Sequence, residues 1–167
     1  MVRLLILAVA ALLTACVPSD PTVEDPGDFA DAGITRLAVS PTPLALVNAL
    51  RAESGLPALR ASRKLDAAAA AHALDMARAD FYGHTSPGGG TERDRMNAVG
   101  YDACSSRENI AWGQADAETV TRAWIASASH RKNILSPRGT DLGIAGVRDA
   151  NGPHSPLWVM LIGAESC

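Results

Sequence analysis

Three polar segments of the sequence carry side chains that could perform acid–base or metal chemistry. The first, GHTSPGG, contains His84; the second, ENIAWG, begins at Glu108; the third, WIASASHRKNIL, contains Ser127 and His130. An imidazole can act as a base or a metal ligand near neutral pH, and a carboxylate can orient it or join it as a ligand. Each segment is therefore a candidate for a functional site, although residue types and spacing alone do not connect the three.

Each of these residues also has a purely structural interpretation. His84 stands in a glycine-rich loop, where a histidine can simply be solvated. Helical spacing of the apolar residues before it places Ser127 on the buried face of a helix, and His130 at that helix's C-terminus, where it could act as a cap. Glu108 could be a surface charge at the start of a strand. The sequence contains no HExxH, paired CxxC, P-loop or GxSxG motif, so spacing alone leaves the choice open.

Helical signals are strong before and between these segments. Ser62 is placed to cap an alanine-rich helix, and Thr91 and Asp116 are placed to cap two later helices. His72 falls on the apolar stripe of the alanine-rich helix, which favours a buried, hydrogen-bonded core residue over a second-shell role at the site. The first predicted helix opens with residues 43–50 and stops at Gly55; the other three, counted from their caps, cover about residues 62–79, 91–98 and 116–129.

The strand signals come later in the chain. Residues 108–113, 141–147 and 157–162 favour strands, and the last run is apolar on both faces, which is typical of a central strand covered on both sides. The predicted fold class is therefore α+β, with helices covering a small sheet. Because only 4% of residues are aromatic, Trp112, Trp124 and Trp158 are assigned to the core rather than to a ligand platform.

The first 15 residues have the pattern of an export signal. Arg3 precedes an apolar run from Leu4 to Leu13, which is too short for a membrane span of about 20 residues. The run ends in LTAC, which resembles the lipobox of bacterial lipoproteins and predicts lipidation of Cys16; an ordinary secretory signal is the alternative. Residues 16–42 then read as a lipid-anchored flexible tether, with loose packing at 34–39, and residues 43–167 as one domain.

Charge and cysteine content limit the partners of that domain. The net charge is −3 and no basic cluster is present, which argues against nucleic acid. With Cys16 lipidated, Cys104 and Cys167 remain as a pair in an oxidising compartment, which predicts one disulfide; two free thiols are the alternative. We expect a monomer whose contact with the membrane is made through the lipid on Cys16.

The order of the motifs resembles the bacterial branch of the CAP superfamily, the SCP-like domains. H-T-S-P-x-G, E-N-I-A-x-G, W-x-x-S-x-x-H-R-x-N-I-L and D-L-G-I-A follow one another between Leu44 and Gly163. The resemblance implies a three-layer α-β-α sandwich with a small, mostly antiparallel sheet. It also implies a cleft with two histidines and two glutamates, which binds a divalent cation in some members.

Matching these motifs residue by residue implies a modified cleft. His84 and His130 take the places of the two histidines and Glu108 that of one glutamate, whereas Ser127 stands where many eukaryotic members have the other. Two neutral imidazoles and one carboxylate suit zinc or another transition metal better than calcium or magnesium. Ser86, beside His84, is added as a fifth cleft residue.

Two functions follow from such a cleft, with a structural role as the third possibility. We favour a module that binds a small or envelope-derived ligand. The alternative is a hydrolase with His84 or His130 as base and Glu108 as orienter. Its nucleophile would be metal-bound water, Ser86 or Ser127; because neither serine lies on a strained elbow, binding is preferred. In the structural interpretation, these side chains form a polar network that only shapes the cleft.

Overall fold

The computed structural model describes residues 33–165 and 167, so the predicted signal segment and Cys16 lie outside the described residues. The strands are β1 (Ile34–Leu37), β2 (Arg60–Ala61), β3 (Ser105–Trp112), β4 (Asp141–Asp149) and β5 (Leu157–Ala164). The helices are α1 (Thr42–Glu53), α2 (Arg63–Arg78), α3 (Glu92–Ala98), α4 (Ala117–Ala126) and α5 (Ala128–Ile134). Within these residues, no helix has both the length and the apolar character that a membrane span requires.

One sheet organises the fold. Its main strands run in the order β1-β4-β5-β3 with antiparallel pairing throughout, and the short β2 adds a parallel pair at the beginning of β4. All eight residues of β5 are buried, which agrees with the apolar run that predicted a central strand covered on both sides. β3 lies at one edge of this order, so its side chains are close to the border between the two faces.

Helices cover both faces of the sheet, as the α-β-α prediction requires. The odd-numbered residues of β5 pack against α2 and α3, and the even-numbered ones against α1, α4 and α5. This separation follows from the period of two in a strand, which sends successive side chains to opposite faces. The fold is therefore an α+β three-layer sandwich, and the predicted class is confirmed.

The predicted N-caps are present at three helices. The Ser62 hydroxyl accepts the Leu65 N–H at 3.3 Å, Thr91 forms a reciprocal capping box with Asp94, and Asp116 caps α4. Each such bond satisfies a backbone donor that the first helical turn leaves without a partner. These local signals explain why the bounds of α2, α3 and the start of α4 follow the sequence closely.

The single helix predicted over residues 116–129 is wrong, because the chain breaks it at Ser127. That residue has an extended backbone (φ −85°, ψ 122°), closes α4 and also precedes the first turn of α5. Serine competes for local hydrogen bonds outside the helix, which makes it suited to such a junction. His130 consequently lies in the first turn of α5, so its interpretation as a C-terminal cap is also wrong.

Residues near the N-terminal end of the described chain belong to the sheet. The sequence predicts only loose packing for residues 34–39, whereas Ile34–Leu37 form β1 and pair with Gly146–Asp149 of β4. This four-residue segment is too short and polar to give a clear strand signal in the sequence. It becomes a strand because it pairs along the edge of β4.

A disulfide joins Cys104 to Cys167, as predicted from the even pair. The two Cα atoms are 6.0 Å apart across a sequence separation of 63 residues. The bond fastens the end of the chain beside the start of β3, where the Cys104 N–H donates to Ala164 O at 2.9 Å. Closing a loop of this length stabilises a fold by on the order of 4 kcal/mol in the chain-entropy model.

Buried Arg51 holds the segment that follows α5. Its side chain on α1 is fully buried, and Nη1 donates to the carbonyl oxygens of Ile134 and Ser136 at 2.8 and 2.9 Å. Its Nε donates to Pro57 O at 2.8 Å. Because the guanidinium supplies donors to several buried carbonyls at once, it fixes where α5 ends relative to α1.

Candidate functional site

Glu108 is the centre of the candidate site. Its side chain, on the edge strand β3, is 3% exposed. One oxygen, Oε1, accepts from His84 Nδ1 at 2.8 Å, and the other, Oε2, accepts from Arg95 Nη2 at 2.7 Å. Both carboxylate oxygens are therefore engaged, and the guanidinium compensates a charge that would be costly to bury alone.

Arg95 is a site residue that the sequence analysis missed. In addition to Glu108, it donates to the backbone oxygens of His84 at 2.9 Å and of Gly90 at 3.2 Å. It thus joins α3, the glycine-rich loop and β3 in one arrangement. The capping box at Thr91 was the available signal, since it sets the phase of α3 and places Arg95 one turn beyond the loop.

His84 presents its ring to solvent from this arrangement. Its side chain is 56% exposed, and the hydrogen bond to Glu108 raises its pKa, with further support from the charge of that carboxylate. Because Nδ1 donates to Glu108, the other ring nitrogen, Nε2, is the one that can contact a ligand. The site therefore displays an imidazole whose protonated form is favoured.

His130 reaches the same region from the opposite helical layer. Its Nδ1 lies 3.0 Å from Ser127 Oγ, and its backbone oxygen accepts from Asn109 Nδ2 at 3.2 Å. Burial lowers its pKa, and the positive charge of His84 lowers it further. The two imidazoles are thus within electrostatic range of each other, on either side of the β3 edge.

Asn133 holds α5 against β3. Its Nδ2 donates to Glu108 O at 2.9 Å and to Asn109 Oδ1 at 2.8 Å. Because both acceptors lie on β3, the helix carrying His130 is held in register with Glu108. This explains why the motif contains an asparagine three residues after the histidine.

His72 is buried behind the site, as its place on the α2 stripe predicts. It is fully buried, and its Nε2–H donates to Gly83 O at 2.9 Å. Glu108 Oε1 is 3.7 Å from the same nitrogen, too far for a hydrogen bond. Burial lowers the pKa of His72, so the ring is a neutral support for the loop that carries His84.

Ser86 has its hydroxyl hydrogen engaged elsewhere. Its Oγ donates to Asp75 Oδ2 at 2.5 Å, and its backbone closes a turn with Gly90 at 2.9 Å. The contacts of Ser86 are thus with α2 and with its own loop, and none joins it to His84 or His130. Ser127, in contrast, contacts His130 directly.

Trp112 differs from the other two tryptophans. Trp124 and Trp158 are 1% and 0% exposed, whereas Trp112 is 47% exposed. The assignment of Trp112 to the core is therefore wrong. It is the last residue of the edge strand, and its position at the strand end leaves its ring partly uncovered.

The chemistry of the donor set can be compared with the metal that the resemblance implies. Within residues 33–165 and 167, no cluster of three or more His, Cys, Asp or Glu side chains is arranged to hold a metal ion. Glu108 is engaged by Arg95 and His84, which leaves the Nε2 atoms of His84 and His130 as the available ligands. Glu108 on His84 Nδ1 matches the carboxylate–imidazole pairing that supports metal-binding histidines, so the donor chemistry of His84 is compatible with a metal ligand.

Comparison with models of known protein families identifies the family to which this chain belongs. The model of the CAP family, the cysteine-rich secretory protein family, matches residues 44–162. The chain belongs to the CAP family. The match covers the elements from α1 to β5 and includes all three site segments.

Relatives of this CAP domain occur in longer bacterial proteins. The uncharacterised protein YkwD of Bacillus subtilis (strain 168) is 38% identical over 106 residues, which are 64% of this chain and 41% of that protein. The uncharacterised membrane protein YlbC of the same organism is 31% identical over 101 residues, 60% of this chain and 29% of that protein. The chain thus matches less than half of the length of these relatives.

Solved structures show the same architecture. An extracellular protein with an SCP domain from Bacillus anthracis str. Ames superposes with a TM-score of 0.63 at 27% identity, covering 72% of this chain and 38% of the other. An outer surface protein from Borrelia burgdorferi superposes with a TM-score of 0.68 at 19% identity, covering 79% of this chain and 98% of the other. The first contains an SCP domain, which agrees with the family match, and the second shows the same fold.

Proposed function

We propose that this CAP domain is exported, is held at the cell envelope by a lipid on Cys16, and binds a small or envelope-derived ligand between His84 and His130. Export is supported by the signal-like first 15 residues and by the extracellular relative. The observation that supports the binding role is the electrostatic interaction between His84 and His130, which come from opposite helical layers, beside a carboxylate whose charge Arg95 compensates.

The electrostatics of the cleft favour a ligand with hydrogen-bond acceptors. His84 is biased toward its protonated form and His130 toward its neutral form, because the pKa of the first is raised and that of the second is lowered. Glu108 is screened by Arg95, so it offers no free negative charge to a cationic ligand. A carboxylate, phosphate or carbonyl group on the ligand would be bound by His84, with His130 as a second polar contact.

A metal would use the same two rings. Zinc would be held by Nε2 of His84 and of His130, with Glu108 supporting His84 through Nδ1, and would supply Lewis-acid polarisation of a bound oxygen. Deprotonation of His84 would accompany such binding, because the metal and the proton compete for the imidazole.

Hydrolysis is the second candidate, favoured by the 3.0 Å contact between Ser127 Oγ and His130 Nδ1. A serine beside a base is the first element of an activated nucleophile. A catalytic triad also needs a third group that orients the base. Here the nearby carboxylate, Glu108, is bonded to His84 and not to His130. Binding therefore remains the preferred function.

Zinc is a suitable probe of the cleft because imidazole nitrogens are among its preferred ligands, whatever the natural ligand is. In isothermal titration of the purified chain, we expect one zinc site that is lost in His84→Ala and in His130→Ala. Glu108→Gln should weaken it by about 10- to 100-fold. His154→Ala is the matched control, since His154 contacts only Tyr82 and Trp112 among the described rings.

A further variant distinguishes ligand binding from hydrolysis. Ser127→Ala should leave zinc binding intact and, if the chain is a hydrolase, abolish cleavage of a model ester. Equal zinc binding by His84→Ala and the unmodified chain would remove the cleft from consideration as a binding site.

The lipid anchor is tested at Cys16. Expression of the full chain in a bacterium should place it in the membrane fraction, and Cys16→Ser should release it, because the proposed lipid is its only proposed attachment. Cys104→Ser is the matched cysteine control and should remain in the membrane fraction. Sedimentation of Cys16→Ser with membranes would refute lipidation.

A further inference from the structure

A row of three rings lies on the surface outside the His84–Glu108–His130 cleft. Tyr82 follows α2, Trp112 ends β3, and His154 lies between them on the connection from β4 to β5. The ring centroids are 5.7 Å apart for Tyr82 and His154, and 5.0 Å apart for Trp112 and His154. We refer to these three residues as the aromatic row.

The exposure of the aromatic row is unusual for this chain. Tyr82 is 41% and Trp112 is 47% exposed, and within the described ranges the other large hydrophobic residue of this kind is Val39. A sequence with only 4% aromatic residues thus exposes two of them to solvent, on either side of the same histidine. Contiguous exposed apolar surface is characteristic of interaction sites.

The backbone holds the row in place before any ligand arrives. Trp112 pairs with Leu157 across the sheet, and the next N–H, of Gly113, donates to Pro156 O at 2.9 Å. On the other side, the carbonyl of Gly83, next to Tyr82, accepts from buried His72. A binding surface that is already ordered loses less conformational entropy when it is occupied.

We propose that the aromatic row binds the pyranose rings of a saccharide. A sugar ring has C–H groups on its faces and hydroxyl groups around its edge, and an aromatic ring attracts the C–H groups with the negative charge of its face. The Tyr82 hydroxyl and the Trp112 indole N–H form no hydrogen bond within the described part of the chain. Both polar edges are therefore available to sugar hydroxyls.

The geometry argues against the other ligands that aromatic residues bind. The ring planes are tilted by 45° and 57° in an open row, whereas a quaternary ammonium ion is bound inside a cage of facing rings. The nearest site carboxylate, Glu108, is engaged by Arg95 and supplies no counter-charge. An acyl chain would need an enclosed apolar channel, and these rings have polar edges in solvent.

The aromatic row adjoins the cleft but is a separate site. Tyr82 precedes His84 by two residues, and Trp112 alternates onto the same face of β3 as Glu108, roughly 13 Å along the strand. A polysaccharide on the row would therefore pass beside the cleft. The proposal does not depend on what the cleft binds.

Neutral tetrasaccharides test the proposal. The purified chain is titrated with tetramers of N-acetylglucosamine and of glucose, and binding is followed by NMR. We expect at least one to bind, with an affinity at least about tenfold weaker in Trp112→Ala and in Tyr82→Ala. Trp112→Phe, which keeps an aromatic face, should stay within about threefold of the unmodified chain, and His84→Ala should bind unchanged.

Several outcomes would overturn the proposal. These are no binding of either tetramer, equal binding by Trp112→Ala, or loss of binding in His84→Ala with retention in Trp112→Ala, which would move the sugar to the cleft. Binding of tetramethylammonium with the same sensitivity to Trp112→Ala, and no binding of either tetramer, would identify a cation site instead. Because both rings are exposed, thermal unfolding of each variant should match the unmodified chain.

Discussion

Glu108→Ala is expected to lower the free energy of unfolding by about 3–5 kcal/mol, the cost typical of breaking a buried ion pair. The substitution leaves Arg95, whose side chain is 10% exposed, without its carboxylate partner. It also removes the acceptor for His84 Nδ1. Because Arg95 joins the loop, α3 and β3, the loss should spread to the order of the whole glycine-rich loop.

Urea denaturation measures this effect, and two further variants show its cause. Glu108→Gln keeps the shape and one acceptor oxygen, so we expect a smaller loss. The double variant Glu108→Met with Arg95→Met removes both charges together. Its loss of unfolding free energy should be smaller than the sum of the losses in the single variants Glu108→Met and Arg95→Met. A loss of less than about 1 kcal/mol in Glu108→Ala would contradict the pairing described here.

The same substitution should be visible in the titration of His84. Since the hydrogen bond to Glu108 is the main reason why its pKa is raised, Glu108→Gln should bring that pKa down toward the ordinary value of about 6.5. The stabilisation from protonated His84 is complete below the unfolded-state pKa and is lost as pH rises through the higher folded-state pKa. His72 and His130, whose pKa values are lowered by burial, act in the opposite sense and destabilise the fold as pH falls below about 6.5.

Gly143→Ala is expected to have an effect of similar size, about 3 kcal/mol or more, for a steric reason. A Cβ atom at Gly143 would lie 2.2 Å from Leu65 C and 2.4 Å from Asp66 N, both in the backbone of α2. The helix would have to move away from β4, which would also strain the 2.9 Å bond from Ile144 N–H to Asp66 Oδ1. Since α2 carries His72, the displacement would reach the support of the His84 loop.

Gly88→Ala is the matched control for Gly143→Ala. Gly88 lies in the glycine-rich loop, and nothing stands within 4 Å of its hypothetical Cβ. Its stability should remain within about 0.5 kcal/mol of the unmodified chain. Thermal and urea unfolding measure the stability of both variants. Equal stability of Gly143→Ala and Gly88→Ala would show that α2 does not pack closely on β4.

Local chemistry accounts for the parts of the fold that the sequence predicted well. The caps at Ser62, Thr91 and Asp116 depend on a side chain and a backbone N–H only three residues away, so they are readable from short spacings. The apolar run of β5 likewise indicated a strand covered on both faces, because burial on both sides removes the polar alternation. The pairing of Cys104 with Cys167 was predicted because Cys16, the other cysteine of the sequence, was set aside as the predicted lipidation site.

The sequence predicted some residues of the candidate site and missed others. Motif order brought His84, Glu108 and His130 together as candidates, but it indicated neither that Arg95 would engage Glu108 nor that Ser86 would be bonded to Asp75. The two contacts span only 13 and 11 residues, but each joins different elements of the fold, so it depends on how α2, the glycine-rich loop, α3 and β3 pack together.

The amino-acid pattern alone specified the helices that begin with caps, the buried central strand and the residue types of the cleft, because these depend on local hydrogen bonds and on the period of burial. The break at Ser127, the exposure of Trp112 and the neutralisation of Glu108 were decided only in three dimensions. Each depends on which elements pack against one another in the folded chain, and no spacing within one segment encodes that packing.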